Sequence, residues 1–239
     1  PCSVACVHAG MIPFFGKEGQ IKKGTPGAGK GVYWEHRSAM DTQLFFLINH
    51  GMVNPLFDVL MPALTHQGYL LAIPLALYAR YAGSRARTPA GKTHFVTALS
   101  AVVIALFAVP LADALGNLLK ELIARPRPCQ ALESVRLLVR CASSFSLPSS
   151  HAVTSFAFAA PIFLLTRPFL RLAWRLAPLV LAAAIAFSRP YVGVHYPADV
   201  AAGTLLGGGV AGVLCWGYAE MQRRLNREDA KSAKTGTEG

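Results

Sequence analysis

Hydrophobic and polar positions divide the chain into long apolar runs separated by short polar links. The runs are Phe95 to Leu119, Ala152 to Leu165, Leu176 to Phe187 and Val200 to Tyr218. Several approach the roughly 20 residues that a helix needs to cross a bilayer, and the chain reads as helical throughout. Asp41 to His50 is a short amphipathic segment that ends at Gly51. The stretch "NPLFD" follows, with Asn54 as N-cap and Pro55 at the first helical position, where its missing N–H is one the helix would not use. From Pro55 an apolar helix is expected to reach about Tyr81, bent near Pro62, Gly68 and Pro74. Four further spans are expected at 94–122, 149–166, 170–188 and 197–220. The predicted fold class is all-α, a polytopic membrane helical bundle of five to six transmembrane helices with one interfacial helix. Six would require 44–63 and 68–82 to cross separately. Asn49, His50, Asn54 and Asp58 make the first a poor bilayer segment and the second is short, so five is preferred.

Composition strengthens this picture. The chain is 53% hydrophobic and 15% charged, with a mean hydropathy of +0.40. Soluble domains carry about a quarter charged residues, which sets a soluble bundle aside. The formal net charge of +11 raises nucleic acid as a partner. The basic residues, however, sit in short links without interleaved aromatics. Anionic headgroups and the positive-inside rule account for them, so a bilayer and no nucleic acid is expected. Residues 1–39 differ, being Gly/Lys-rich over "GKEGQIKKGTPGAGKG" and lacking a signal-peptide pattern. They are expected to be disordered or a non-native extension with Met40 as the start. Residues 40–222 would form the membrane domain and 223–239 a disordered cytoplasmic tail.

Charge also sets an orientation. Residues 80–93 hold Arg80, Arg85, Arg87 and Lys92 without an acid, and 166–175 hold Arg167, Arg171 and Arg175. The tail holds Arg223, Arg224, Arg227, Lys231 and Lys234. Alternating helices put these three segments on one side, which the positive-inside rule makes cytoplasmic. Segments 120–150 and 188–197 then face the periplasm or exterior. The first breaks the rule: Lys120, Arg125, Arg127, Arg136 and Arg140 face only Glu121 and Glu133. Concentrated positive charge on the wrong side needs a local reason, and an anion supplies one.

Three outward segments at helix ends carry candidate chemistry. They are "KELIARPRP", with Lys120 and Arg127; "LPSSHA", with Ser149, Ser150 and His151; and "SRPYVGVHYPAD", with Arg189, His195 and Asp199. Arginine forks match phosphate oxygens, and lysine acts as a point charge. Ser149 and the backbone N–H groups of Ser150 and His151 sit where a helix N-terminus favours an anion. Two histidines fit the halves of a displacement at phosphorus, one attacking and one protonating the leaving oxygen. Asp199 lies one helical turn after His195 and can accept its ring N–H. Two histidines and one carboxylate among cations argue against a metal, and no cofactor is expected. Taken singly, each motif is weaker than its ordinary reading as a helix cap, a snorkelling anchor or a structural pair. Their conjunction, in order and on one side, carries the inference.

The pattern Lys120-x6-Arg127-Pro128, Pro148-Ser149-Ser150-His151 and Ser188-Arg189-x5-His195-x3-Asp199 resembles the type 2 phosphatidic acid phosphatase (PAP2) superfamily over roughly residues 40–220. "MDTQLFFLIN…NPLFDVLMPALT" further resembles its small bacterial members, including undecaprenyl-diphosphate phosphatases. The resemblance implies that Lys120, Arg127, Ser149 and Arg189 bind phosphate. It makes His151 the general acid, His195 the nucleophile that forms a phosphohistidine, and Asp199 its orienting partner. Ser150 stands where the family usually has glycine. Because that position contributes a backbone N–H, serine should serve. The implied activity is hydrolysis of a lipid phosphate or diphosphate, with undecaprenyl diphosphate favoured. Phosphatidic acid, phosphatidylglycerophosphate and lipid A are alternative substrates, and a phospholipid-binding or transport protein is the non-enzymatic one.

Three features stand beside this signature. Asp113 lies inside an apolar span with Asn117 and Lys120 on the same face, and is expected to support the site. Cys129 and Cys141 flank part of the outward loop, where a disulfide is expected and free thiols are the alternative. Trp174, Trp216 and Tyr218 read as interfacial anchors.

Overall fold

The computed structural model describes residues 39–66, 89–168 and 170–235. Among them seven helices follow one another: α1 (Ala39–Asn49), α2 (Pro55–His66), α3 (Pro89–Ile123), α4 (Pro128–Ala131), α5 (Ser150–Leu165), α6 (Leu172–Tyr191) and α7 (Pro197–Thr235). No strand occurs among the described residues. Residues 1–38 of the expected extension 1–39 lie outside them, as does the continuation of α2 to Tyr81 with its bends at Gly68 and Pro74, while Ala39 is the first residue of α1.

Three helical stretches, Lys92–Ala131, Leu172–Tyr191 and Pro197–Ser232, are long and apolar enough to cross a membrane, and Pro55–Thr65 and Ser150–Leu165 are shorter apolar helices. At 1.5 Å per residue, α3 is about 50 Å long and exceeds a hydrocarbon core of ~30 Å. The 16 residues of α5 reach only about 24 Å, short of that thickness. Outward faces carry Leu106, Phe107, Val180, Leu205 and Val213, all well exposed, as a lipid-facing surface requires.

Helix α5 packs against α3, α6 and α7. The centre of that packing is made of small side chains: Ala108 and Ala112 from α3, Val153 and Ala157 from α5, and Ala211 from α7. Small residues let helix backbones approach closely where no hydrophobic drive separates protein from lipid. Gly207 marks the closest approach, since a Cβ there would stand 2.1 Å from the Val153 carbonyl oxygen.

Helices α1 and α2 and the link between them contribute polar groups that would be poor in lipid, and Asn49, Asn54 and Asp58 are each satisfied by protein. Asn49 is buried and donates to the carbonyls of Arg136 (2.9 Å) and Tyr191 (2.8 Å), while its Oδ1 accepts the Arg136 N–H. Asp58 accepts the Tyr191 hydroxyl at 2.6 Å and pairs with Arg136. Asn54 accepts the Leu56 N–H at 2.8 Å, as its N-cap position predicts.

One element departs from expectation. The last helix, expected to end near residue 220, continues to Thr235, so residues 223–235 of the expected disordered tail are helical. Glu220 pairs with Arg223 and Arg224 at i+3 and i+4, and the stretch is rich in good helix formers, which propagate the helix into water.

Candidate active site

The link between α6 and α7, residues 192–196, carries His195 and is built to turn sharply. Gly193 has φ +90°, and a Cβ there would press on the Arg136 carbonyl at 2.7 Å. Val192, Val194 and His195 are buried beneath this turn. Pro197 then opens α7 and places Asp199 in its first turn, fully buried.

Hydrogen bonds fix the His195 ring. Arg127 Nη1 lies 2.9 Å from His195 Nε2, and because a guanidinium only donates, Nε2 presents its lone pair. Nδ1 therefore carries the proton, 3.3 Å from Ser146 Oγ and 3.5 Å from Asp199 Oδ2. Ser146 gives its own hydroxyl hydrogen to Asp199 Oδ2 at 2.5 Å. Burial pushes the His195 imidazole down to a pKa of about 3, with the Asp199 hydrogen bond opposing and the Arg127 charge reinforcing. The ring is neutral, with its lone pair at Nε2 accepting from Arg127.

Asp199 is more constrained than its spacing alone implies. Oδ2 also accepts the Tyr196 N–H at 2.8 Å, and Oδ1 accepts Arg125 Nη1 at 2.7 Å. Arg125 Nη2 reaches Asp41 at 2.6 Å, and its guanidinium lies 4.0 Å over the Tyr196 ring. Asp41, Arg125, Ser146 and Tyr196 were not singled out as site residues from sequence.

The other two segments meet this one. The Ser149 N–H donates to the Asp199 carbonyl at 3.0 Å, which ties the start of α5 to the start of α7. Lys120, at the end of α3, donates to the Ser150 hydroxyl. Arg127 is buried and held through Nε and Nη2 by the Ser144 carbonyl (2.7 Å) and hydroxyl (2.9 Å). Arg189, on the last turn of α6, lies within electrostatic reach of both His151 and His195.

Three residues carry buried side-chain atoms without a hydrogen-bond partner among the described residues: Ser149 at Oγ, Arg189 at Nε and Nη1, and, beside Asp58, Arg136 at Nη1. Ser149 occupies the N-cap position of α5, yet its side chain makes no capping bond. A buried donor is rarely left unpaired unless something else is meant to meet it. His151 donates Nε2–H to the Thr65 carbonyl at 3.0 Å, and Thr65 Oγ1 meets Ser188 Oγ at 2.7 Å. Thr65 is a further residue that sequence reasoning missed.

Asp113 and Asn117 bond to each other at 3.1 Å, and among the described residues they make no hydrogen bond to the site. Cys129 and Cys141 are joined as a disulfide, which closes the loop after α4. Among the described residues no group of three or more His, Cys, Asp or Glu side chains is placed to hold a metal ion.

A helical membrane bundle that gathers three cations, two histidines and a buried carboxylate at helix ends defines an integral-membrane phosphoryl-transfer protein. The PAP2 superfamily pattern matches residues 101–223. Lipid A 4'-phosphatase of Bacteroides thetaiotaomicron is 33% identical over 181 residues, which cover 73% of this chain and 75% of that protein. Undecaprenyl-diphosphatase of Sulfolobus acidocaldarius is 38% identical over 97 residues, covering 41% of this chain and 45% of that one. Among solved structures, a transmembrane PAP2-type phosphatidylglycerolphosphate phosphatase from Bacillus subtilis shares the fold, with a TM-score of 0.58 and 24% identity over 78% of this chain and 88% of that one. The chain belongs to the PAP2 superfamily and is a lipid phosphatase of that type.

Proposed function

We propose that the protein hydrolyses undecaprenyl diphosphate to undecaprenyl phosphate and inorganic phosphate, without a metal ion, at the outer face of the plasma membrane. The observation that carries the mechanism is the His195 ring, neutral and buried, with Nε2 as its lone-pair nitrogen and Nδ1 turned to Asp199 and Ser146. Nε2 attacks the terminal phosphorus as the bridging P–O bond breaks. The positive charge that develops on the imidazole is stabilised by Asp199. His151 supplies a proton to the departing lipid phosphate oxygen and then takes one from water, which attacks the phosphohistidine. Phosphate leaves and His195 is restored.

Arg127, Arg189, Lys120 and Ser149 bind the phosphoryl oxygens, where charge is spread in the transition state. Arg127 exchanges its contact with Nε2 for a phosphoryl oxygen as substrate enters. Arg189 and Ser149 suit this role because their donors are buried and unpartnered among the described residues. A site at helix ends lets the headgroup reach these cations while a long prenyl chain stays among the exposed apolar faces of the helices. The likeness to undecaprenyl-diphosphatase supports the diphosphate reading. The longer match to lipid A 4'-phosphatase favours a second reading, a lipid A phosphomonoester.

Phosphate release by the purified protein in detergent with EDTA, across undecaprenyl diphosphate, lipid A, phosphatidylglycerophosphate and phosphatidic acid, tests both readings. The expected result is EDTA-insensitive release, highest in kcat/KM on undecaprenyl diphosphate and abolished by His195→Ala or His151→Ala. A preference for lipid A would replace the first reading with the second. Loss of activity in EDTA would overturn the metal-free route, and full activity in either histidine variant would overturn the role assigned to that histidine.

A further inference from the structure

We propose that Arg125 and Asp41 form a positioning bridge that holds the Asp199 carboxylate for His195, making the amphipathic helix α1 part of the catalytic apparatus. The proposal rests on the phosphohistidine reading above and adds to it the group that orients its carboxylate.

The argument starts from Asp199, which is fully buried and has two oxygens with different duties. Oδ2 faces His195 Nδ1 and accepts from Ser146 and the Tyr196 N–H. Oδ1 points away from the histidine and accepts Arg125 Nη1 at 2.7 Å. A carboxylate held through both oxygens cannot rotate about its Cβ–Cγ bond without losing a charge-assisted hydrogen bond. Fixing Oδ1 therefore fixes where Oδ2 meets the ring.

Arg125 is itself held from the other side. Its Nη2 meets Asp41 Oδ2 at 2.6 Å, and the second Asp41 oxygen accepts the Ala198 N–H at 2.9 Å, next to Asp199. The guanidinium also lies over the ring of Tyr196, the residue after His195. Asp41 of α1, Arg125 after α3 and the first turn of α7 thus close a ring around the back of the catalytic pair. The fork geometry of arginine makes this bridge, and a lysine point charge could not span both carboxylates in the same way.

Charge separates this role from phosphate binding. Arg125 sits between two carboxylates, whereas Arg189 has buried donors with no partner among the described residues. Two carboxylates on one guanidinium leave it committed to protein, and its removal would leave Asp199 without its buried countercharge.

Steady-state kinetics on farnesyl diphosphate in detergent micelles tests the bridge, with His195→Ala as the control for the mechanism. Arg125→Ala is expected to lower kcat about 10- to 100-fold, by analogy with the loss on removing a partner that orients a metal-ligating histidine or carboxylate. KM and the inhibition constant of inorganic phosphate should stay within about twofold, because ground-state binding is untouched. Millimolar guanidinium should restore part of kcat in Arg125→Ala and none in His195→Ala. Arg125→Lys should resemble Arg125→Ala, and Asp41→Asn should lower kcat less while sparing KM.

Three results would overturn the bridge while leaving the mechanism intact. One is wild-type kcat in Arg125→Ala with His195→Ala inactive. Another is a loss confined to KM and phosphate affinity, which would make Arg125 a substrate ligand. The third is an Arg125→Ala protein that guanidinium does not rescue, beside a fully active Asp41→Asn, which would make the arginine purely structural. Activity retained in His195→Ala would overturn the phosphohistidine and the bridge with it.

Discussion

At the residue scale, the protein keeps a histidine neutral in a cationic neighbourhood and aims one of its nitrogens. Burial does most of this, and Arg127 and Asp199 pull in opposite directions on the charge. The linkage to stability has a definite sign. An unfolded imidazole titrates near 6.5, while the folded one is pushed down to about 3. Below 6.5 the unfolded state binds the extra proton, so the neutral ring favours the fold fully above that pH and progressively less as pH falls towards 3. Thermal unfolding in detergent should therefore show wild type losing more stability than His195→Gln between neutral and acidic pH. Parallel curves for the two proteins would contradict the buried neutral state. Arg189→Ala should raise KM by at least about tenfold, since truncating one partner of a buried charge-assisted contact to phosphate costs more than about 1.4 kcal/mol. Inhibition by inorganic phosphate reads the same loss without turnover.

His195 and Asp199 were legible in the sequence because four residues make one helical turn, and because the polar run interrupts an apolar context that gives such residues no other reason to be there. Asp41, Arg125, Ser146 and Thr65 were not legible. Each lies far along the chain from its partner, 158 residues separating Asp41 from Asp199 and 53 separating Ser146 from Asp199. Arg125 looked like one more outward charge beside Arg127. Only the contact with two carboxylates distinguishes it.

At the element scale, the start of α5 is where the site is assembled, and its position depends on close helix contacts. Gly207 allows α7 to touch the backbone of α5 at Val153, three residues after Ser150. Gly207→Val should destabilise the bundle by about 1–3 kcal/mol through overpacking against backbone that cannot move aside. Gly208→Ala is the matched control, because a Cβ there meets nothing within 4 Å. Equal thermal stability of the two variants would remove this account of the packing. The apolar periods located α3, α5 and α6 closely, within a few residues at each end. The length of α7 was missed because hydropathy marks where a helix leaves lipid and is blind to one that continues through water on propensity and ion pairs.

At the scale of the whole molecule, the polar residues of α1 and α2 join these helices to the rest of the bundle. Asn49 and Asp58 are polar groups that lipid disfavours, and both are consumed by Arg136 and Tyr191. They tie α1 and α2 to the loop and the helix that frame the site. From the basic residues of 167–175 and 223–234, the positive-inside rule predicts a cytoplasmic side for the end of α7. A fluorescent-protein fusion after Thr235 should be bright in a bacterial host, and an alkaline phosphatase fusion at the same point inactive. The reverse pair of results would invert the orientation and put the site on the cytoplasmic side.

What the sequence determined by itself is local or periodic: helix class, the positions of the apolar helices, the excess of positive charge over residues 120–140, and the three short motifs. Hydropathy and turn chemistry act over one or two helical turns, so they can be read along the chain. The tertiary structure decided which oxygen of Asp199 faces the histidine, which nitrogen of His195 carries the lone pair, and which arginine is paired with two carboxylates and which has buried donors without a partner among the described residues. Those are properties of groups brought together from distant segments. Their directions depend on packing and hydrogen bonds that no spacing encodes.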